Sequence, residues 1–219
     1  MIERHRLIRR IAADIRSLST ASGGVWRVGI DGVDGAGKTR FADELAACVV
    51  DMEVIRASVD GFHNPRAVRY SKGRNSPEGF FEDSFNYVQL REYLLDPLSP
   101  GGSMRYRSRG FDHVSDRRVD GAVLEARPPS ILIFDGIFLH RPELARYWDY
   151  SVFLDVSTHE SLRRRIEREG VGGISNDPAD PIHARYVRGQ EIYLRSCDPI
   201  HHATLVVNNE DLEHPYVAA

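Results

Sequence analysis

The stretch Gly32-Val33-Asp34-Gly35-Ala36-Gly37-Lys38-Thr39 decides the reading of this chain. It matches G-x-x-x-x-G-K-[ST], and each element of that pattern has a physical task. Glycines leave backbone N–H groups free to curl around phosphate oxygens. The lysine neutralises β- and γ-phosphates, and the hydroxyl of the last residue ligates magnesium. Immediately upstream, Val25-Trp26-Arg27-Val28-Gly29-Ile30 is a short apolar strand behind the breaker Ser22-Gly23-Gly24, and Phe41 opens a helical pattern running to Val50. A strand before and a helix after are the context that makes the match meaningful, because the helix adds its positive N-terminal end. Gly32, Asp34, Gly35, Ala36, Gly37, Lys38, Thr39 and Arg40 are therefore the expected nucleotide-binding residues.

Further along, apolar runs recur, each ending in a polar residue. Glu53 to Ala57 leads to Asp60, Ile131-Leu132-Ile133-Phe134 ends at Asp135, Ser151-Val152-Phe153-Leu154 ends at Asp155, and Thr204-Leu205-Val206-Val207 is the last. Such runs read as strands buried on both faces, and helical patterns lie between them. The alternation predicts an α/β P-loop NTPase fold: a doubly wound, mostly parallel sheet flanked by helices. Residues 2–18 carry Leu7, Ile8, Ile11, Ile15 and Leu18 at helical spacing, the pattern of an amphipathic helix packed on the core. A single domain is expected over 1–219, with an N-terminal helix at 1–20 and a core at 25–208. Residues 61–82, 97–121 and 170–181 interrupt the alternation with Gly, Pro, Ser and Arg. Irregular segments of that length are expected to be substrate-binding insertions and, at 170–181, a lid.

The 219 residues are 42% apolar and 28% charged with a net charge of -3, a composition that gives no basic excess for nucleic acid. Cys48 and Cys197 lack C-x-x-C spacing and read as reduced thiols in a cytoplasmic protein. No apolar run is long enough for a membrane span. The expected partner is a small-molecule acceptor, with homo-oligomer formation left open.

Three further groups bear on chemistry. Asp135, at a strand end, is either a carboxylate that reaches magnesium or a turn acid before Gly136. Asp60 lies just past another strand end, where it accepts the proton of an attacking hydroxyl or closes an Asx-turn before Gly61. His63 follows as a substrate contact or a loop surface residue. In the run 159–169, Arg164 and Arg168 share a helix face while Arg165 points elsewhere. Those arginines either stabilise a transferring phosphoryl group or form a solvated face; Arg185 and Arg188 are candidates of the same kind.

Taken together these residues resemble the uridine kinase and phosphoribulokinase-like family of P-loop kinases, over 25–208. The resemblance implies ATP and Mg2+ as cofactors, Thr39 and Asp135 at the metal, and Asp60 as catalytic base beside Lys38. It places the lid arginines at Arg165 and Arg168 and a sugar-binding carboxylate at Asp83. The segment Phe111-Asp112-His113-Val114-Ser115-Asp116-Arg117-Arg118 corresponds to the loop that reads the base in uridine kinases. It departs from that pattern by having Phe111 for Tyr, His113 for Phe and Asp116 for His. The implied activity is transfer of a γ-phosphoryl group to a primary hydroxyl, with a nucleoside as leading acceptor and pantothenate or a phosphosugar as the alternative. A nucleotide-binding regulator is the competing class, and a guanine-reading N-K-x-D motif is absent.

Overall fold

A computed structural model of the chain describes residues 2–19, 23–170 and 174–218. Six strands form one sheet: β1 (Val25–Gly32), β2 (Glu53–Ser58), β3 (Ser130–Asp135), β4 (Tyr150–Asp155), β5 (Leu205–Asn208) and β6 (Tyr216–Val217). Their order across the sheet is β6-β5-β4-β1-β3-β2. All neighbours run parallel except β6, which pairs antiparallel with β5 through Tyr216↔Asn208 and Val217↔Val207. The sheet thus extends past the predicted core limit of 208. A two-residue edge strand is too short to show a period in sequence.

The longer helices among the described residues are α1 (Ile2–Ser19), α2 (Lys38–Cys48), α3 (Pro77–Asp83), α4 (Thr158–Glu169) and α5 (Ala184–Cys197), with α2 against the sheet and α3 against α5. All six residues of β3 are buried, and its side chains alternate between two cores. Ile131 and Ile133 meet Ile8, Ile11 and Ile15 of α1 and Phe41 and Leu45 of α2. Leu132 and Phe134 face the opposite layer with Phe138, Leu139 and Tyr193. Burying one such side chain is worth about 1.5–3 kcal/mol, so the two-sided burial explains why β3 carries no polar residue between its ends. Leu18, expected on the apolar face of α1, is 48% exposed, while Ser19 beside it is buried.

Helix ends follow local chemistry. Ser157 caps α4 by accepting the Glu160 N–H, and Gly170 closes it in the left-handed conformation. Ser76 caps α3 through the Gly79 N–H with Pro77 in the first turn. Residues 97–121 hold two-residue strands rather than one irregular loop: Phe111–Asp112 pairs with Arg117–Arg118, and Arg105–Tyr106 pairs with Leu124–Glu125 just beyond the segment. Ser22 of the predicted breaker and residues 171–173 of the predicted lid lie outside the described residues. No helix among the described residues is long and apolar enough to cross a membrane.

What this topology does for a site is geometric. β1 has β3 on one side and β4 on the other, so connections leave it in opposite directions and open a crevice at its C-terminal end. Asp135 lies level with Ile30 and with Ser58. The loop after β1, the end of β3 and the turn after β2 therefore share one edge.

Candidate active site

The loop between β1 and α2 is built on glycine conformations. Gly35 has φ 72° and Gly37 φ 87°, a region other residues enter at a cost. A Cβ on Gly35 would also collide with the carbonyl of Ser161 in α4. Inside the loop the Ala36 N–H reaches Val33 O at 3.1 Å, and the Gly35 N–H reaches Asp34 Oδ1 at 2.9 Å. Lys38 Nζ donates to Val33 O at 2.7 Å. Burial lowers the Lys38 pKa, against Asp34, Asp31, Asp60 and Asp135, which raise it. No side chain caps α2, so its first-turn N–H groups remain open for an anion. The helix begins at Lys38 rather than at the predicted Phe41, which places Lys38, Thr39 and Arg40 in that first turn.

A cavity of about 690 Å³ opens over this loop, and its walls include Asp34, Lys38, Thr39, Arg40, Asp60, His63, His113, Asp135, Arg164 and Arg168. Thr39 Oγ1 donates to Asp135 Oδ2 at 2.8 Å. The other carboxylate oxygen of Asp135 accepts from Arg56 Nη2 at 2.9 Å, and Arg56 also reaches Asp43. A hydroxyl and one carboxylate fit a small hard cation that keeps waters and takes substrate phosphate oxygens. Among the described residues no group of three or more His, Cys, Asp or Glu could hold a metal by itself. Thr39 and Asp135 would hold a magnesium ion here, which would supply positive charge against bound phosphates.

Asp60 is exposed to the cavity in a turn after β2. Its N–H meets Ser58 Oγ at 3.3 Å, and its carbonyl accepts from His63 Nδ1 at 3.0 Å. The carboxylate itself is left facing the cavity. The His63 ring stacks on His113, with centroids 4.7 Å apart, and rests on Phe85 at 4.5 Å. Burial lowers the pKa of His63, opposed by Asp60 and reinforced by His113 and Arg69.

The arginines of α4 divide by helix face. Arg168 Nη2 reaches Asp34 Oδ1 at 3.1 Å. Arg164 ties Glu160 to the main-chain carbonyls of Asn209 and Glu210. Arg165 is a correction to the expected set. It is 6% exposed, donates to His183 Nδ1 at 2.9 Å and lies 4.3 Å over the Tyr186 ring. One residue along a helix turns the side chain by about 100°, so Arg165 joins α4 to α5 and is absent from the cavity wall. Arg40 sits at the rim, paired with Glu44 at 2.8 Å and Glu213 at 3.6 Å.

Three expected acceptor contacts are also placed elsewhere. Asp83 lies outside the cavity lining, 3.1 Å from Lys72. Asp116, at φ 56°, accepts the Arg66 N–H at 2.9 Å and lies 3.4 Å from Arg69; it anchors a neighbouring turn. Phe111 is buried and lines a smaller adjoining cavity with Asp60 and His113. His63 and His113 do face the main cavity.

Residues without an individual sequence signal complete the walls: Arg69 and Tyr70, and Tyr186 beside the predicted candidate Arg185. The Arg-Tyr pair also occurs at Arg105-Tyr106 and Arg146-Tyr147, so the dipeptide marks nothing by itself. Beneath the loop lies a buried polar network. Asp31 accepts from the Gly32 N–H at 2.8 Å, from His140 Nδ1 at 2.6 Å and from the Tyr193 hydroxyl. That hydroxyl accepts the His140 N–H at 3.0 Å, and His140 Nε2 lies 3.0 Å from Ser151 Oγ. Burial, and then the Asp31 carboxylate, raise the Tyr193 pKa well above its ordinary value, so the phenol stays a donor. Gln190, one turn earlier in α5, accepts the Asp34 N–H.

Comparison with known proteins agrees with this architecture. A pantothenate kinase from Clavibacter michiganensis subsp. michiganensis is 25% identical over 152 residues, which are 64% of this chain and 47% of that protein. The inorganic pyrophosphatase TTM2 of Arabidopsis thaliana is 27% identical over 168 residues, 76% of this chain and 23% of that protein. This chain thus spans about half the length of the first relative and about a quarter of the second. A solved structure described as a possible uridine kinase from Bacillus stearothermophilus superposes with a TM-score of 0.65 at 20% identity, covering 90% of this chain and 98% of that one. The model of the Phosphoribulokinase / Uridine kinase family matches residues 27–173, two thirds of the sequence, and the chain belongs to that family.

Proposed function

We propose that this chain is an ATP- and magnesium-dependent kinase that transfers the γ-phosphoryl group to a primary hydroxyl of a small metabolite. The observation that carries the reading is convergence. The glycine loop with Lys38, the Thr39–Asp135 oxygen pair and the unengaged Asp60 carboxylate all border one cavity. Backbone N–H groups and Lys38 position the phosphates, Thr39 and Asp135 hold the cation, and Arg168 approaches from α4. Asp60 accepts the proton of the incoming hydroxyl, so that the oxygen attacks as the γ-phosphoryl group departs from its diphosphate. Asp34, held by Arg168 and by Gln190, keeps the loop in register.

A nucleoside acceptor would draw on Asp83, Phe111 and Asp116, and none of these lines the main cavity. His63 and His113 do line it, so a nucleoside and a non-nucleoside such as pantothenate or a phosphosugar both stand as acceptors, the pantothenate kinase relative being in keeping with the second. A cytoplasmic, single-domain enzyme without a nucleic-acid partner remains the accompanying expectation.

Transfer of labelled γ-phosphate to a panel of hydroxylated metabolites, beside ADP release without acceptor, tests the reading. Lys38→Ala should lower turnover by at least a hundredfold while the protein stays folded, since preorganised charge dominates phosphoryl transfer. Wild-type turnover in that variant would refute it.

A further inference from the structure

Part of the cavity wall is formed by Arg69, Tyr70, Phe80, Arg185 and Tyr186. Arg185 is 7% exposed. Its guanidinium donates to two main-chain carbonyls, Ser76 O at 3.2 Å and Arg69 O at 3.1 Å. It sits over the rings of Tyr70 at 4.9 Å and Phe80 at 5.5 Å. Among the described residues no carboxylate pairs with it. Asp83 acts on it only at longer range, and Asp83 already lies against Lys72.

Arg69 stands beside it with one weak partner, Asp116 at 3.4 Å, and its Nε is buried without a hydrogen-bond acceptor. Two guanidinium groups therefore share one wall, and among the described residues Asp116, at 3.4 Å from Arg69, is the one carboxylate ion-paired with either. A buried cation without a counter-charge is costly, and Arg185 registers that cost: burial lowers its pKa, with Arg69 adding to the effect.

The ATP phosphates belong at Lys38 and the start of α2, and neither Arg69 nor Arg185 contacts those residues: Arg185 is held at Ser76, Arg69, Tyr70 and Phe80 instead. A planar fork left with open N–H groups matches a carboxylate or phosphate oxygen pair. Resting on the kinase reading above, we infer that the acceptor is itself an anion, a polyhydroxy compound whose carboxylate or phosphate is held by Arg69 and Arg185. Tyr70 and Tyr186 flank that group, and the hydroxyl end of the molecule is left toward Asp60. His63 lines the same cavity as Arg69 and is hydrogen-bonded to the Asp60 carbonyl.

The test uses matched pairs that differ only in the anion, D-glycerate against glycerol and ribose 5-phosphate against ribose. Binding is read by thermal shift on the protein saturated with magnesium and a non-hydrolysable ATP analogue, so it does not depend on turnover. An anionic member should stabilise the protein where its neutral counterpart does not, and the glycerate and phosphate arms separate the two sources of charge. Arg185→Gln should weaken that binding by about tenfold to a hundredfold, the loss of a charge-assisted hydrogen bond. Arg185→Lys should fall between Gln and wild type, and the melting point of each unliganded variant checks folding. Equal shifts from charged and neutral members, or from wild type and Arg185→Gln, would overturn the inference. A neutral riboside phosphorylated with higher kcat/KM than every anionic acceptor would also overturn it, leaving the kinase reading intact. Failure of the ATP analogue itself to bind would instead strike the kinase reading.

Discussion

Replacing Tyr193 by Phe should destabilise the protein by about 3 kcal/mol, and the structure shows where that figure comes from. The ring is unaffected: it stays packed 5.1 Å from Phe138, so no apolar burial is lost. Only the hydroxyl goes, and it serves two partners. The His140 N–H, 3.0 Å away and buried, is left without an acceptor, at about 1–3 kcal/mol for an unsatisfied buried group. Asp31, fully buried, loses one donor and keeps His140 Nδ1 and the Gly32 N–H; a hydrogen bond to a charged group is worth about 1.5–3 kcal/mol. The two losses share a site and do not add in full. For a chain of this size about 3 kcal/mol lowers Tm by about 6–12 °C. Thermal denaturation by circular dichroism measures it, with urea midpoints as a second reading. A fall below about 2 °C would show that the network contributes nothing beyond packing and refute the reasoning.

Asp60→Asn keeps the shape but cannot accept a proton, so kcat should drop by about a hundredfold or more with near-normal ATP binding; loss confined to ATP affinity would make Asp60 a metal or structural residue. His63 gives a pH dependence whose sign is fixed. Its folded pKa lies below the ordinary 6.5, so the unfolded chain binds the proton more readily. Its share of stability is intact above about pH 6.5 and is lost as pH falls below it. His63→Gln should flatten that slope in urea midpoints between pH 5 and 7, and a steeper slope in the variant would refute the assignment.

The α/β fold was legible because parallel strands buried on both faces leave apolar runs, as in β3 and β4, whereas β2, an edge strand carrying Glu53 and Arg56, is only partly buried rather than buried on both faces as expected. The glycine loop was legible because its chemistry is local: eight consecutive residues contain the turn, the cation and the hydroxyl. Residues whose meaning depends on distant partners were not. Asp31 meets His140 and Tyr193 across 109 and 162 positions, and its only trace in sequence is a carboxylate inside an apolar strand. Asp83 and Asp116 occupy positions that the family resemblance links to an acceptor, yet Lys72 takes up the first, and Arg66 and Arg69, 50 and 47 positions away, take up the second. The division of Arg164 and Arg168 from Arg165 followed from helical geometry alone, while the resemblance pointed to Arg165.

Helix α5 fixes a length. Near its start Arg185 and Tyr186 wall part of the cavity, and farther along Gln190 and Tyr193 grip Asp34 and the network under the glycine loop. Between Arg185 and Gln190 the helix rises about 7.5 Å, at about 1.5 Å per residue. Gly189 lets α3 press directly against it, for a Cβ there would meet Phe80 and the Pro77 carbonyl at 2.7 and 2.9 Å. The separation between that wall and the glycine loop is thus set by one stiff rod clamped at its middle. A single residue inserted between 185 and 190 would turn one end by about 100° relative to the other, so this stretch tolerates substitutions on its outer face but no change in number. Loops elsewhere in the chain can lengthen; this span acts as the gauge of the site.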